Sequence, residues 1–135
     1  MFRKIFIHGL VAGILSAIAC IIYQRIHFYQ TEADFSKVLN IKTMIAGSLL
    51  ACGLAAIGYW LLVKWLKTKA DIVFNLVFSI LSFASIIYPV SFTLPLTIQF
   101  PELFPALAIP MHFFPALAWY TIKPFFKSED IISAH

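Results

Sequence analysis

Residues 44–63 read MIAGSLLACGLAAIGYWLLV, twenty consecutive positions without Asp, Glu, Lys or Arg. A helix needs about 20 predominantly apolar residues to cross the hydrocarbon core of a bilayer, which is about 30 Å thick. Only helices and closed barrels satisfy their backbone hydrogen bonds in lipid, and this stretch lacks the alternation of a membrane β-strand. It is therefore predicted to be a transmembrane helix.

Three further stretches meet the same criterion, at residues 5–23, 72–94 and 103–122. The composition agrees, because 61% of the residues are hydrophobic and 12% are charged, against roughly 45–50% apolar and 25% charged in soluble domains. We therefore predict an all-α membrane protein in which residues 1–135 form a single membrane domain. Its four transmembrane helices are expected to form an antiparallel bundle.

The first of these stretches also resembles a secretory or lipoprotein signal sequence, because Arg3 and Lys4 precede an apolar run that ends in small residues at Cys20. Ala17, rather than Leu, lies three residues before the cysteine, and the apolar run continues through Tyr23. We therefore interpret the stretch as a retained span.

The connection at residues 24–43 is long and polar. Thr31, followed by Asp34 three positions later, approximates the capping box that opens a helix. We predict a short interfacial helix in this first outer connection. The apolar residues that would share one face of it are Phe35, Val38 and Leu39.

The other two connections are shorter. Residues 64–71 are basic and predict a tight turn between adjacent antiparallel helices. Residues 95–102 are framed by prolines, which favour an extended path.

The Lys and Arg residues predict the orientation, because cytoplasmic loops carry an excess of them. Seven flank one end of the spans, and they are Arg3, Lys4, Lys64, Lys67, Lys69, Lys123 and Lys127. Both termini are therefore predicted to be cytoplasmic, in a bacterial inner membrane. Five of these residues form a basic rim that we expect to contact anionic lipids, at about 1 kcal/mol per charge: Lys64, Lys67, Lys69, Lys123 and Lys127. The basic residues form no stripe interleaved with aromatics, so no nucleic-acid partner is predicted.

His112 is the deepest ionisable residue, near the centre of the fourth span between Pro110 and Pro115. Each proline frees a backbone carbonyl four residues earlier, at Ala106 and at Met111, so a polar pocket is expected beside the imidazole. Three roles stay open for His112: a neutral, hydrogen-bonded packing residue, a proton-handling or substrate-binding group, and a metal or haem ligand.

His8 lies nearer the inner edge of the first span, roughly 9 Å from the depth of His112 at about 1.5 Å per residue. This mismatch argues against haem held by both histidines. We predict that His8 reaches water or headgroups. Cys20 and Cys52 lie in different spans without a metal-binding spacing. No cofactor and no metal site are therefore predicted.

Asn75, Ser79 and Ser82 recur at helical spacing on the third span. Such a stripe usually makes hydrogen bonds between helices, and it is also able to wet a narrow cavity. Small residues on the first two spans predict close helix packing between them. These packing residues are Gly9, Gly13, Ala17, Ser48, Cys52 and Ala56.

The sequence contains no phosphate loop, zinc-protease motif or nucleophile elbow. We therefore predict a non-enzymatic protein, a structural or accessory subunit in a larger membrane complex or a homo-oligomer. The alternative is a small oligomeric transporter or channel component that uses His112 and the face of Asn75, Ser79 and Ser82.

Overall fold

Every regular element of the protein is a helix. The computed structural model describes residues 2–91, 93–98 and 100–127, and no strand occurs within those ranges, so the predicted all-helical class is confirmed. In order along the chain these ranges contain α1 (Phe2–Thr31), α2 (Ile41–Leu66), a 3-10 helix (Lys67–Lys69), α3 (Ala70–Ser85), α4 (Ile87–Ser91), a second 3-10 helix (Pro101–Leu103) and α5 (Phe104–Lys127).

Among the described residues, three helices are long and apolar enough to cross a membrane: Phe2–Thr31, Ile41–Ser91 and Pro101–Phe126. The middle one comprises 51 residues, because α2 to α4 follow one another almost without interruption. The chain turns within it at Lys67, whose backbone adopts a left-handed φ of 49°. α3 then packs on α2, with the rings of Tyr59 and Phe74 5.1 Å apart.

α1 packs closely against both α2 and α5. A Cβ atom on Gly9 would lie 2.8 Å from the Cβ atom of Ala56 and 2.9 Å from the carbonyl oxygen of Cys52. A Cβ atom on Gly13 would lie 2.9 Å from Leu49 Cδ2. The two helices therefore approach as only glycine allows at these positions.

Two apolar clusters fill the interior. One surrounds Trp119, which is fully buried, and the other surrounds Leu107. The tyrosine hydroxyl of Tyr23 on α1 donates to the carbonyl oxygen of Ala106 at 2.9 Å. Pro110 leaves that carbonyl without its usual helical donor, so α1 supplies the missing hydrogen bond.

The predicted interfacial helix after the first span is wrong. α1 continues through Thr31, and Glu32 ends it with a left-handed φ of 57°. Phe35 is buried against Phe104, with ring centroids 5.4 Å apart. Only one hydrogen-bonded turn follows Phe35, because its aromatic ring is anchored in the core and the segment does not lie flat on the surface.

Within the described part of residues 72–94, the third predicted span, the structure has two helices and not one. α3 ends at Ser85, and α4 covers Ile87–Ser91. Pro89 lacks the N–H that would bond to the carbonyl of Ser85, and this loss accounts for the break.

Candidate functional site

A groove of about 600 Å³ runs between α2 and α3, with α5 as its floor. On α2 it extends from Thr43 to Leu62, a length of about 28 Å at 1.5 Å per residue. The groove is therefore much longer than it is wide.

Four small residues of α2 line the groove: Gly47, Ala51, Ala55 and Gly58. Ala55 is itself buried in the core cluster around Trp119. A Cβ atom on Gly47 or Gly58 would have nothing within 4 Å. The predicted packing residues Ser48, Cys52 and Ala56 are buried on the side of α2 that faces α1, and Ser48 also borders the groove.

His112 lines the groove from the α5 side, together with Ala108, Met111 and Pro115. Its Nδ1 atom lies 3.0 Å from Ser85 Oγ on α3. Ser85 Oγ donates its only hydrogen to the carbonyl oxygen of Ser82, at 2.7 Å. Nδ1 must therefore donate to Ser85, which fixes the neutral imidazole with its proton on Nδ1.

Nε2 of His112 is then a hydrogen-bond acceptor. No hydrogen bond to it is made by the residues that the structure describes, and it is not among their buried polar atoms without a partner. It therefore remains accessible on a ring that lines the groove.

Ser48 and Cys20 add weakly polar atoms to the same groove. Ser16 Oγ on α1 donates to Ser48 Oγ at 3.3 Å, and Cys20 Sγ lies 3.9 Å from that oxygen. This part of the wall is held by contacts between α1 and α2.

The predicted polar stripe on α3 divides between two environments. Ser82 lines the groove with His112. Asn75 Oδ1 instead accepts from Lys123 Nζ at 3.0 Å, and Ser79 Oγ lies 3.0 Å from the hydroxyl of Tyr120. The stripe therefore does not form one continuous polar face beside His112.

Asn75 belongs to a polar cluster at the turn between α2 and α3. Asp71 Oδ1 accepts from the Tyr59 hydroxyl at 2.6 Å and lies 3.2 Å from Lys123 Nζ. Tyr120 also donates to the backbone carbonyl of Asn75. These contacts attach the first turns of α3 to α5.

The lysines of the predicted basic rim lie in different environments. Lys123 makes the ion pair with Asp71, and Lys64 lies 5.5 Å from the centre of the Trp60 ring. Lys67 and Lys69 are exposed on the 3-10 helix. The side chain of Lys127 lies outside the described residues.

The prediction that His8 reaches water is wrong. His8 is 4% exposed, and its Nε2 atom donates to the carbonyl oxygen of Trp119 at 3.0 Å. Its ring stacks on Trp119, with centroids 4.1 Å apart, and on Phe126. The small residues of α1 and α2 leave room for this aromatic stack inside the bundle.

A second cavity of about 570 Å³ lies beneath the connection between α1 and α2, near Arg25, His27 and Lys42. Asp34 also lines it and accepts from the Ser36 backbone N–H at 2.8 Å. This hydrogen bond lowers the pKa of Asp34 below its ordinary value.

Comparison with protein-family models, curated protein sequences and solved structures finds no match to this chain. Within the described parts of the chain, no group of three His, Cys, Asp or Glu side chains is arranged to hold a metal ion. The class that the fold defines is therefore an all-helical protein whose long helices are apolar enough to cross a membrane.

Sequence reasoning missed Ser85 as the partner of His112, and it missed the open face of Gly47 and Gly58. The hydroxyl of Ser85 continues the α3 stripe, so its helical position was a usable signal. The partner of each polar residue depends on the rotation of α3 against α5, which helical spacing within one element does not determine.

Proposed function

We propose that the protein is an integral membrane protein with four spans, formed by α1, α2, α3 with α4, and α5. The supporting observation is the turn at Lys67–Lys69, which divides the 51-residue helical stretch. From Ala70 to Ser91 the chain has a length of about 33 Å at 1.5 Å per residue, enough for a bilayer core of about 30 Å. The excess of Lys and Arg at one end supports cytoplasmic termini and a bacterial inner membrane.

Labelling of introduced cysteines tests this topology. A membrane-impermeant maleimide is expected to label Ser36→Cys in intact spheroplasts and Lys69→Cys only after permeabilisation. Background labelling of the native cysteines should be low, because Cys20 and Cys52 are buried. Labelling of both positions in intact cells would exclude the four-span arrangement.

Within that topology, the function we propose is a non-enzymatic accessory subunit that holds a hydrophobic chain in the α2–α3 groove. The single observation that carries the proposal is the groove, which is almost as long as the bilayer core and has open space beside Gly47 and Gly58. Ligand sites in proteins are typically apolar concavities of about 300–1,000 Å³ with few polar groups. The groove has that size and that composition.

The geometry favours binding over conduction. Asn75 and Ser79 are engaged by Lys123 and Tyr120. The alternative transporter would need both residues on a path with His112.

Filling the groove tests the binding proposal. Hexadecyl methyl ether is titrated into nanodiscs that contain the protein with ¹³C-labelled methionine methyl groups, because Met44 and Met111 both line the groove. We expect saturable shifts in the wild-type protein and their loss in Gly58→Leu. Gly53→Leu is the matched control, since Gly53 also has open space around it but does not line the groove. Equal shifts in both variants, or none in the wild type, would contradict the proposal.

The accessory role is tested separately, by crosslinking in native membranes and purification in mild detergent. We expect a defined complex or homo-oligomer. Recovery of monomer alone, without any crosslinked partner, would exclude an accessory subunit.

A further inference from the structure

We propose that the groove selects uncharged hydrophobic molecules that carry a hydroxyl group partway along a single chain, with the hydroxyl donating to His112 Nε2. This inference rests on the proposed function and specifies the chemical class of its ligand. It depends on the directions of the hydrogen bonds around the groove.

The neutral His112 ring carries its proton on Nδ1. Ser85 has one hydroxyl hydrogen, and it is donated to the carbonyl oxygen of Ser82. Ser85 Oγ is therefore the acceptor in its contact with His112 Nδ1. Nε2 carries a lone pair, and a ligand must supply a donor to engage it.

Two further hydroxyls of the groove have their hydrogens committed to protein acceptors. Thr43 donates to Asn40 Oδ1 at 3.0 Å, and Ser82 donates to the carbonyl oxygen of Phe78 at 2.8 Å. Ser48 differs, because it accepts the hydrogen of Ser16 and keeps its own, with Cys20 Sγ 3.9 Å away. Because the hydrogens of Thr43, Ser82 and Ser85 are committed to protein acceptors, a donor-bearing ligand is complementary to this wall.

The residues that line the groove include no Asp, Glu, Lys or Arg, so neither a cationic nor an anionic ligand would have a counter-ion there. An alcohol or a phenol is neutral and supplies the donor that Nε2 lacks.

The position of the hydroxyl follows from the helix register. Pro115 is level with Cys52, since its carbonyl oxygen lies 3.9 Å from Cys52 Sγ. His112 precedes Pro115 by three residues, which places it about 4.5 Å closer to the start of α5. The groove continues past that level in both directions, to Thr43 and to Leu62, so the chain of the ligand must extend on both sides of its hydroxyl.

The test compares hexadecan-6-ol with its methyl ether, which has the same chain but no donor. Both are titrated into nanodiscs containing the whole protein, with ¹³C-methionine and ¹⁵N-histidine labels. We expect the alcohol to bind roughly three- to tenfold more tightly and to shift the ¹⁵N resonance of His112 Nε2. Before any ligand is added, we expect the His112 proton on Nδ1.

Two variants test whether the preference for the alcohol depends on His112 and Ser85. His112→Phe is expected to bind both compounds alike, and Ser85→Ala is expected to reduce the preference because Nδ1 loses its acceptor. Ser91→Ala is the control, since the exposed Ser91 hydroxyl bonds to its own helix.

The outcomes separate the two proposals. If neither compound binds, the proposed function fails. If both bind equally to the wild type, the groove is a binding site but the ligand class is wrong. A preference for the alcohol that survives in His112→Phe would overturn the assignment to His112. A wild-type His112 that carries its proton on Nε2 would also overturn it, and this second measurement does not depend on the folding of any variant.

Discussion

The two small-residue faces of α2 have opposite environments. Toward α1, an added Cβ atom on Gly9 would lie 2.8 Å from Ala56. Toward α3, an added Cβ atom on Gly58 would meet nothing within 4 Å. Both faces follow the same sequence pattern, so the pattern permits a close approach without specifying that one occurs. The difference separates a face that packs against α1 from a face that is open beside Gly47 and Gly58.

The most direct test of this difference is to add one methyl group at the α1–α2 contact and one in the groove. Gly9→Ala is expected to lower the free energy of unfolding by about 1–3 kcal/mol, because its Cβ atom would collide with Ala56 and with the backbone of Cys52. Gly58→Ala is expected to change it by less than about 0.5 kcal/mol. Titration with a denaturing detergent measures both, and equal effects would mean that the two faces do not differ.

A second prediction concerns how α3 is held beside the open groove. Lys123→Met removes the ion pair with Asp71 and the hydrogen bond to Asn75. We expect a loss of about 1–2 kcal/mol, since these groups are mostly buried and charge-assisted hydrogen bonds are the stronger ones. Lys64→Met, in which the lysine is exposed, is the control, and the same detergent titration applies. An unchanged free energy of unfolding in Lys123→Met would mean that apolar packing alone holds α3.

A smaller effect is expected on the packed face. Ser16→Ala removes the hydrogen bond to Ser48, and bonds between membrane helices average about 0.6 kcal/mol. The loss should stay near that value because Gly9 and Gly13 still hold α1 against α2. A loss as large as that of Gly9→Ala would show that the hydroxyl pair, and not close packing, defines this face.

The smallest expected effect lies in the connection that joins the two helices of the packed face. The pKa of Asp34 is lowered by its bond from the Ser36 backbone, so its stabilisation is present above the ordinary value of 3.8 and is lost as pH falls through the lower folded pKa. The Ser36 amide resonance should therefore shift when the pH falls below 3.8, and Asp34→Ala should abolish that shift. A pH-dependent shift that persists in Asp34→Ala would exclude this assignment.

Hydropathy was sufficient to predict the all-helical class, because the long runs of apolar residues lack the alternation of β-strands and are long enough to form membrane-crossing helices. It did not predict where α1 ends, at Thr31. Hydropathy detects the boundary of an apolar solvent, whereas a helix continues through Gln24 and Arg25 as long as its backbone hydrogen bonds are made.

The candidate site was predictable only in part. Two prolines and a histidine on one span indicated freed carbonyls beside an imidazole, and Tyr23 does bond to the carbonyl of Ala106. The proton position on His112 depends on Ser85, and the separation of Asn75 from His112 depends on Lys123. Both are contacts between α3 and α5, whose relative rotation is a tertiary property.

The hydrogen bond from Tyr23 to Ala106 joins residues 83 positions apart, and this separation imposes an order of assembly. Synthesis of the chain produces α1 long before α5, so the Tyr23 hydroxyl has no access to that acceptor while the intervening helices are made. The final helix, which contains Pro110, supplies the acceptor for a helix that was made first. Completion of the last helix is therefore the step at which the Tyr23 hydroxyl of the first helix acquires its native acceptor.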